Sequence, residues 1–279
     1  MLFARLSLLV SILLLSVTVN ATQTVLVSVH PLALLVKSAW PALNVTSLVA
    51  SNQSPHDFSL KPSDMRKVVK ADMVIWIGPD IEPFLVNLMR NKDRQIQLSH
   101  LVEEDGSEED QDTEGEHDHH EPHLWLQPDT IPSLLAAVQK RMDLPIPTQF
   151  LTQYNKWLKA TELNFSGLKG RGFISYHDAF HPWVEYFGLK QLDVVTHNPE
   201  KPVGTRHVVQ VRKLLESGAA HCIFVEPQFT GRLLDKLTQG LKVKRIKIDP
   251  LASLYQVESA NFLSFFNNLN TQFQRCLSL

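Results

Sequence analysis

The sequence predicts an α/β protein built as two Rossmann-like lobes with parallel sheets, joined by a long backbone helix. Two observations carry this. Short β-branched runs alternate with helix-period stretches in both halves of the chain. Between the halves lies a stretch without strand character, in which apolar residues recur at helical spacing.

Residues 1–21 stand apart from this pattern. Arg5 precedes an apolar run from Leu6 to Val17, and Val19-Asn20-Ala21 offers the small residues of a cleavage site. The run is shorter than the roughly 20 residues that span a bilayer. It is therefore expected to be a cleaved signal peptide, with Thr22 starting the mature chain; a retained anchor is the alternative. No Cys follows the run to take a lipid, and no later segment is apolar and long enough to cross a membrane, so the mature form is expected to be soluble and exported.

The N-terminal lobe is assigned to residues 22–145. Its strands are read at Val25 to Val29, Val45 to Val49 and Met73 to Ile77, with helices at Pro31 to Trp40, Pro62 to Lys70 and Ile81 to Met89. Leu134, Leu135, Val138 and Met142 continue in helical spacing up to the break Pro145-Ile146-Pro147. The linking helix is placed at 146–169, with Thr148 as its cap and Phe150, Tyr154, Trp157 and Leu158 on one face. A stiff connector of this kind limits hinge opening. The C-terminal lobe, 170–279, repeats the alternation. Strands are read at Gly172 to Tyr176, Leu192 to Val195, Cys222 to Val225 and Val243 to Ile248, with helices at His207 to Glu216 and Arg232 to Gln239.

A hydrophobic fraction of 44% excludes disorder over most of the chain. The balance of 27 basic and 29 acidic residues gives no support for a nucleic-acid partner. The acids are unevenly spread. Eleven of them fall between Glu103 and His123, with no Lys or Arg. Like charges this dense repel and stay solvated, so 103–122 reads as a surface loop on the first lobe. Its His117, His119 and His120 either collect metal or are incidental to a soluble loop. Without those eleven acids the chain has 27 basic against 18 acidic residues, a mildly basic body. Export also bears on Cys222 and Cys276, the only cysteines. Outside the cytoplasm two Cys tend to pair, here pinning the C-terminus; two free buried thiols are the alternative.

Three His remain in unusual contexts. His56 follows Ser54-Pro55 in a strand-to-helix loop, His123 follows Glu121-Pro122, and His177 ends an apolar strand. Each lies at an element end, where ligands of parallel sheets gather in the crevice between lobes. Neutral imidazole suits zinc above the hard cations, and three His with a carboxylate or water fill a tetrahedron. Asp249, after the last strand, is the best-placed fourth donor by pattern. Glu226 is its rival, or could orient a ligand from behind; for both acids a capping or salt-bridging role stays open. Ligation needs neutral His, so affinity is expected to fall below pH about 6.5. A secreted zinc hydrolase with three His and an open position is the second reading, although His-Glu-x-x-His is missing. A metal-independent binding protein is the third.

Ser54-Pro55-His56-Asp57-Phe58-Ser59-Leu60-Lys61-Pro62-Ser63-Asp64, Glu121-Pro122-His123-Leu124-Trp125-Leu126 and Tyr176-His177-Asp178-Ala179-Phe180 come in this order. Val225-Glu226-Pro227-Gln228-Phe229 and Ile248-Asp249-Pro250-Leu251 follow. Together they resemble the metal motifs of the cluster A-I solute-binding proteins of bacterial ABC transporters, in their zinc-uptake branch. The resemblance spans nearly all of the mature chain. It implies two α/β lobes joined by a backbone helix, with Zn²⁺ in the interlobe cleft as substrate ion. It implies capture in the periplasm without catalysis and delivery to a membrane permease by a monomer. His56, His123, His177 and Asp249 would hold the metal, with Glu226 and Asp178 behind them, and Cys222–Cys276 would match a disulfide found in some members. Manganese members usually carry a carboxylate in place of the third His, so His177 favours zinc; a manganese-binding member is the runner-up. Some zinc members have Glu before the first His, where Pro55 stands here.

Deleting residues 104–116 should leave fold and main site intact, because a solvated acidic loop supplies no core. Loss of tight metal binding in that deletion, read by competition with a chromogenic chelator, would contradict this.

Overall fold

The computed structural model describes residues 22–103, 123–199, 201–229, 231–259 and 261–278. The first half runs β1 (Thr24–Val27), α1 (His30–Ala39), β2 (Asn44–Ser47), α2 (Pro62–Lys70), β3 (Met73–Trp76), α3 (Val86–Met89), β4 (Gln95–Gln97) and α4 (Leu98–Glu103). Two helices follow with no strand between them, α5 (Thr130–Met142) and α6 (Thr148–Phe165). The second half runs β5 (Gly172–His177), α7 (His181–Phe187), β6 (Lys190–Thr196), α8 (Thr205–Glu216), β7 (Ala220–Val225), α9 (Arg232–Thr238), β8 (Lys244–Lys247) and α10 (Phe262–Leu277).

The strands form two four-stranded parallel sheets, ordered β2-β1-β3-β4 and β6-β5-β7-β8. In each, the strand that comes first in sequence lies inside and the chain steps to either side of it. That step creates a crevice at the C-terminal strand ends, where ligands of such sheets bind. Close strand approach has a sequence cause at Gly172, whose missing Cβ would lie 2.6 Å from the Leu192 side chain. Gly188, at φ +62, ends α7 in the left-handed region.

Two local expectations fail for physical reasons. Residues 81–85 form tight turns rather than the start of a helix, and the regular helix begins only at Val86. Pro83 brings no N–H, and the Glu82 side chain turns back to accept from Ile77 N at 2.7 Å. Thr148 is the first residue of α6, with Pro147 in the cap position and no side-chain cap.

One apolar core runs through both halves, from Val25 in β1 to Leu277 in α10. Smaller clusters cover the outer faces: Leu26, Val68, Val74 and Leu85 under α2 and α3, and Ile174, Val211, Ile223 and Leu234 under α8 and α9. α10 is the element that joins the halves. Its Phe262, Phe265, Phe266, Leu269 and Phe273 are buried, and it packs on α1, α6, β5, β7 and β8. Phe266 lies 5.1 Å from the rings of both Trp157 of α6 and Trp183 of α7, and Phe273 lies 4.8 Å from Phe224 of β7. Aromatic packing at these distances adds to the area term and holds helices in fixed relation.

Cys222 of β7 and Cys276 of α10 form a disulfide across a sequence separation of 54, with both residues fully buried. Replacing both by Ala should lower unfolding free energy by about 4 kcal/mol on the loop-entropy model. Urea unfolding of the two proteins would test it; coincident curves would mean that α10 is held by packing alone.

Candidate metal centre

The two sheets face a shared cleft with their C-terminal strand ends, and the three expected histidines meet there. His56 lies in a short 3₁₀ turn, Pro55–Asp57, between β2 and α2, where Ser54 Oγ accepts from His56 N. His123 precedes a second 3₁₀ turn, Leu124–Leu126, whose residues are buried. His177 is the last residue of β5. One ligand atom from each of the three lies within 4.8 Å of the others. The ring centroids are 5.6 Å apart for His56 and His123, 5.2 Å for His56 and His177, and 4.9 Å for His123 and His177.

Burial sets the electrostatics. His123 and His177 are each 2% exposed, whereas His56 is half-buried. Desolvation, and then the charge of His177, push the His56 imidazole down to about 4. Desolvation also takes His123 well below its ordinary value, with His177 and His56 acting in the same direction. Both rings are therefore neutral near pH 7, the form that binds metal, so no proton must be displaced from them. The simple expectation of a fall near pH 6.5 does not describe these two groups.

Buried polar atoms here lack good hydrogen-bond geometry among the described residues. They include Nε2 of His56, both ring nitrogens of His177 and Oε1 of Glu226. His177 Nδ1 and Glu226 Oε1 approach to 3.2 Å as a charge contact. Burial raises the Glu226 carboxyl above its ordinary value, against the opposing pull of His177. Around these groups lies a cavity of about 10 Å³, lined among others by His56, His123, Trp125, His177, Glu226 and Phe229. This is the room of a single small particle and too little for an organic molecule.

Asp249 lies outside the histidine cluster. Its carboxylate accepts from Leu251 N at 2.9 Å, Ser253 N at 2.6 Å and Ser253 Oγ at 2.7 Å, which closes the turn after β8. Asp178 accepts from Gln191 Nε2 at 2.9 Å and lies 3.0 Å from the exposed His197, pointing to the β6 side. Residues 1–21, the bulk of the acidic segment, and His117, His119 and His120 lie outside the described residues.

The sequence reading missed two supports. Trp125 Nε1 donates to Pro250 O at 2.8 Å, and its ring packs 5.1 Å from His123. Phe229 meets His177 edge-on at 5.6 Å. Both residues stood inside the quoted motifs, but nothing in a sequence tells a packing aromatic from one that holds a ligand.

Residues 25–276 match the family model described as zinc-uptake complex component A, periplasmic (ZnuA). The chain belongs to the ZnuA family. Among curated relatives, it is 29% identical to the high-affinity zinc uptake system protein ZnuA of Yersinia pestis, over 92% of both chains. It is 26% identical to the protein of the same name from Haemophilus ducreyi, over 95% of this chain and 96% of that one. Among solved structures, a crystal structure of ZnuA superposes with TM-score 0.71 at 17% identity, covering 92% of this chain and 99% of that one. The Zn(II)-bound AdcAII E280Q variant of Streptococcus pneumoniae gives TM-score 0.73 at 19% identity, covering 91% of this chain and 98% of that one. The two-lobed α/β fold is thus the ZnuA-family fold.

The lowered histidines have a stability consequence. Between pH 6.5 and about 4 the unfolded chain takes protons on His56 and His123 that the folded, metal-free chain refuses. These two residues therefore erode apo stability as pH falls, while buried Glu226, which protonates first in the folded state, acts oppositely. The His56→Gln variant should gain melting temperature relative to wild type as pH drops from 7 to 4.5. Parallel profiles for the two metal-free proteins would contradict the buried, neutral assignment.

Proposed function

We propose that this chain is a periplasmic zinc-binding protein that captures Zn²⁺ and delivers it to the membrane permease of an ABC transporter. The single observation that carries the reading is the convergence of His56, His123 and His177 at the cleft with their ligand atoms within 4.8 Å. Tetrahedral zinc at about 2.1 Å from each nitrogen needs neighbouring donors about 3.4 Å apart, so small side-chain rotations close the set on one ion. Three imidazole donors favour a borderline cation such as zinc over manganese, which prefers oxygen donors. The zinc-uptake names of the relatives support the same choice.

In this reading Glu226, rather than Asp249, is the acid that serves the ion. It lies 3.2 Å from Nδ1 of His177, which leaves Nε2 of that ring for the metal and offsets part of its charge. Asp249 is committed to its own turn by three hydrogen bonds. Asp178 is engaged by Gln191 and His197 on the β6 side rather than by the three histidines. Capture is binding without catalysis: a secreted zinc hydrolase would need a substrate-sized opening beside the ion, and the cavity of about 10 Å³ gives none. Residues 1–21 act as the cleaved export signal, and the mature protein works as a monomer, with 22–145 and 170–279 as lobes about the helix 146–169. His117, His119 and His120 serve at most as an accessory collector.

Single replacement of His56, His123 or His177 by Ala should weaken zinc binding by at least a hundredfold, because each removes a third of the nitrogen donors. Glu226→Gln should weaken it by about ten- to a hundredfold, the range for groups that orient a metal ligand. Asp249→Asn should lower thermal stability more than affinity. Zinc affinities by competition with a chelator decide; unchanged affinity in all three Ala variants would end the site assignment.

A further inference from the structure

The outward face of α2 has no role in metal binding, yet its composition is unusual. Asp64 and Val68 are its buried residues. On the other side Met65 and Val69, one turn apart, are 43% and 71% exposed. Lys61, Arg66 and Lys70 flank them and Lys67 lies across the helix beside Asp64, all exposed. Lys67 is paired with Asp64 at 2.9 Å, whereas Lys61, Arg66 and Lys70 carry no ion pair among the described residues. Along residues 57–70 four cations stand against Asp57 and the buried Asp64, so the local balance is cationic.

Exposed large apolar residues are few among the described residues, and two of them share this short helix. An apolar stripe with cations beside it is the pattern of a helix that lies on an anionic bilayer, its side chains entering the headgroup region while Lys and Arg meet phosphates. Lys61, Arg66 and Lys70 are free to meet lipid phosphates on this face, each adding to the attraction of an anionic surface.

We propose that the outer face of α2 is a peripheral docking surface for anionic phospholipid membrane. This extends the proposed function and rests on it: contact with the membrane that holds the permease would turn a three-dimensional search into a two-dimensional one. The contact is weak and reversible, since two apolar side chains and three cations fall far short of stable anchoring. It also bears on the metal, because α2 is joined to the His56 turn through Phe58 and Leu60, which pack against the same apolar cluster as Val68.

Sedimentation with vesicles tests it, using the mature chain and vesicles of phosphatidylcholine with or without phosphatidylglycerol. Wild type should partition at least tenfold more onto the anionic vesicles and lose that preference in high salt. Arg66→Glu/Lys70→Glu should abolish the preference, and Met65→Ser/Val69→Ser should reduce it several-fold. Lys156→Glu/Lys159→Glu on α6, an equal charge change at exposed positions, should leave it intact. Equal partition of wild type onto both vesicle types, or a preference that survives the Arg66/Lys70 change, overturns the proposal. Binding seen only when permease is reconstituted overturns it too and assigns the face to a protein partner. Zinc titration of the same variants keeps the two readings apart: the surface variants should hold wild-type zinc affinity, and a wild type without zinc affinity would refute the function instead.

Discussion

The fixed relation between the two lobes is what the rest of this structure depends on, and aromatic packing supplies it. Phe266 and Phe273 of α10 lock against Trp157, Trp183 and Phe224, so the linking helix, α7 and the second sheet share one interior. The same core continues to β1 and α1, so the lobes share one apolar interior. Separating them would expose apolar surface at roughly 25 cal/mol per Å², a large cost against a net stability of 5–15 kcal/mol. Small loop movements are cheaper. Of the three histidines, His56 is the most exposed and the one carried on a short turn rather than on a strand end or beside a buried tryptophan. Exchange of an ion at this cleft is therefore easiest on the His56 side.

That rigidity gives the centre its chemistry. Three imidazoles and a carboxylate are kept in a nearly dry place, where ring nitrogens of His56 and His177 and one oxygen of Glu226 lack well-formed hydrogen bonds among the described residues. Such groups are costly to bury. The fold meets the cost by keeping His56 and His123 uncharged and by setting Glu226 against His177. A cation that accepts several nitrogen donors relieves the whole set at once, so the unfavourable electrostatics of the empty fold favour binding. The Trp125 bond to Pro250, and His30 to Tyr255 O at 2.8 Å, tie first-half loops to second-half loops around it.

Much of this was legible in the chain. Alternating runs such as Val25 to Val29 and Cys222 to Val225 gave the parallel sheets, because a strand buried on both faces reads as a continuous apolar run. His56, His123 and His177 stood out through their positions at element ends. α10 went unread although Phe262, Phe266, Leu269, Phe273 and Cys276 follow helical spacing; its signal was present and local. Asp249 reads as the better-placed fourth donor and Glu226 as its rival, because both are acids after a strand and only three-dimensional neighbours show that Asp249 closes a turn. Glu82 was invisible. Nothing in Gly78-Pro79-Asp80-Ile81-Glu82 says that its carboxylate is fully buried, accepts from the Ile77 and Gly78 amides and is pushed by burial up to about 7.

Glu82 and the matched strand orders belong together. The two halves are wired alike, so each owns an equivalent crevice where the strand order reverses, between β1 and β3 and between β5 and β7. In the second half that crevice is rimmed by His177 and Glu226, at the ends of β5 and β7. In the first half the corresponding ends of β1 and β3 lead into Ser28 and Gly78, and there the Glu82 carboxylate is inserted. The molecule is thus a pseudo-symmetric pair in which one half is plugged by its own acid. Its twin keeps His177 and Glu226 turned to the cleft, where His56 and His123 of the first half meet them.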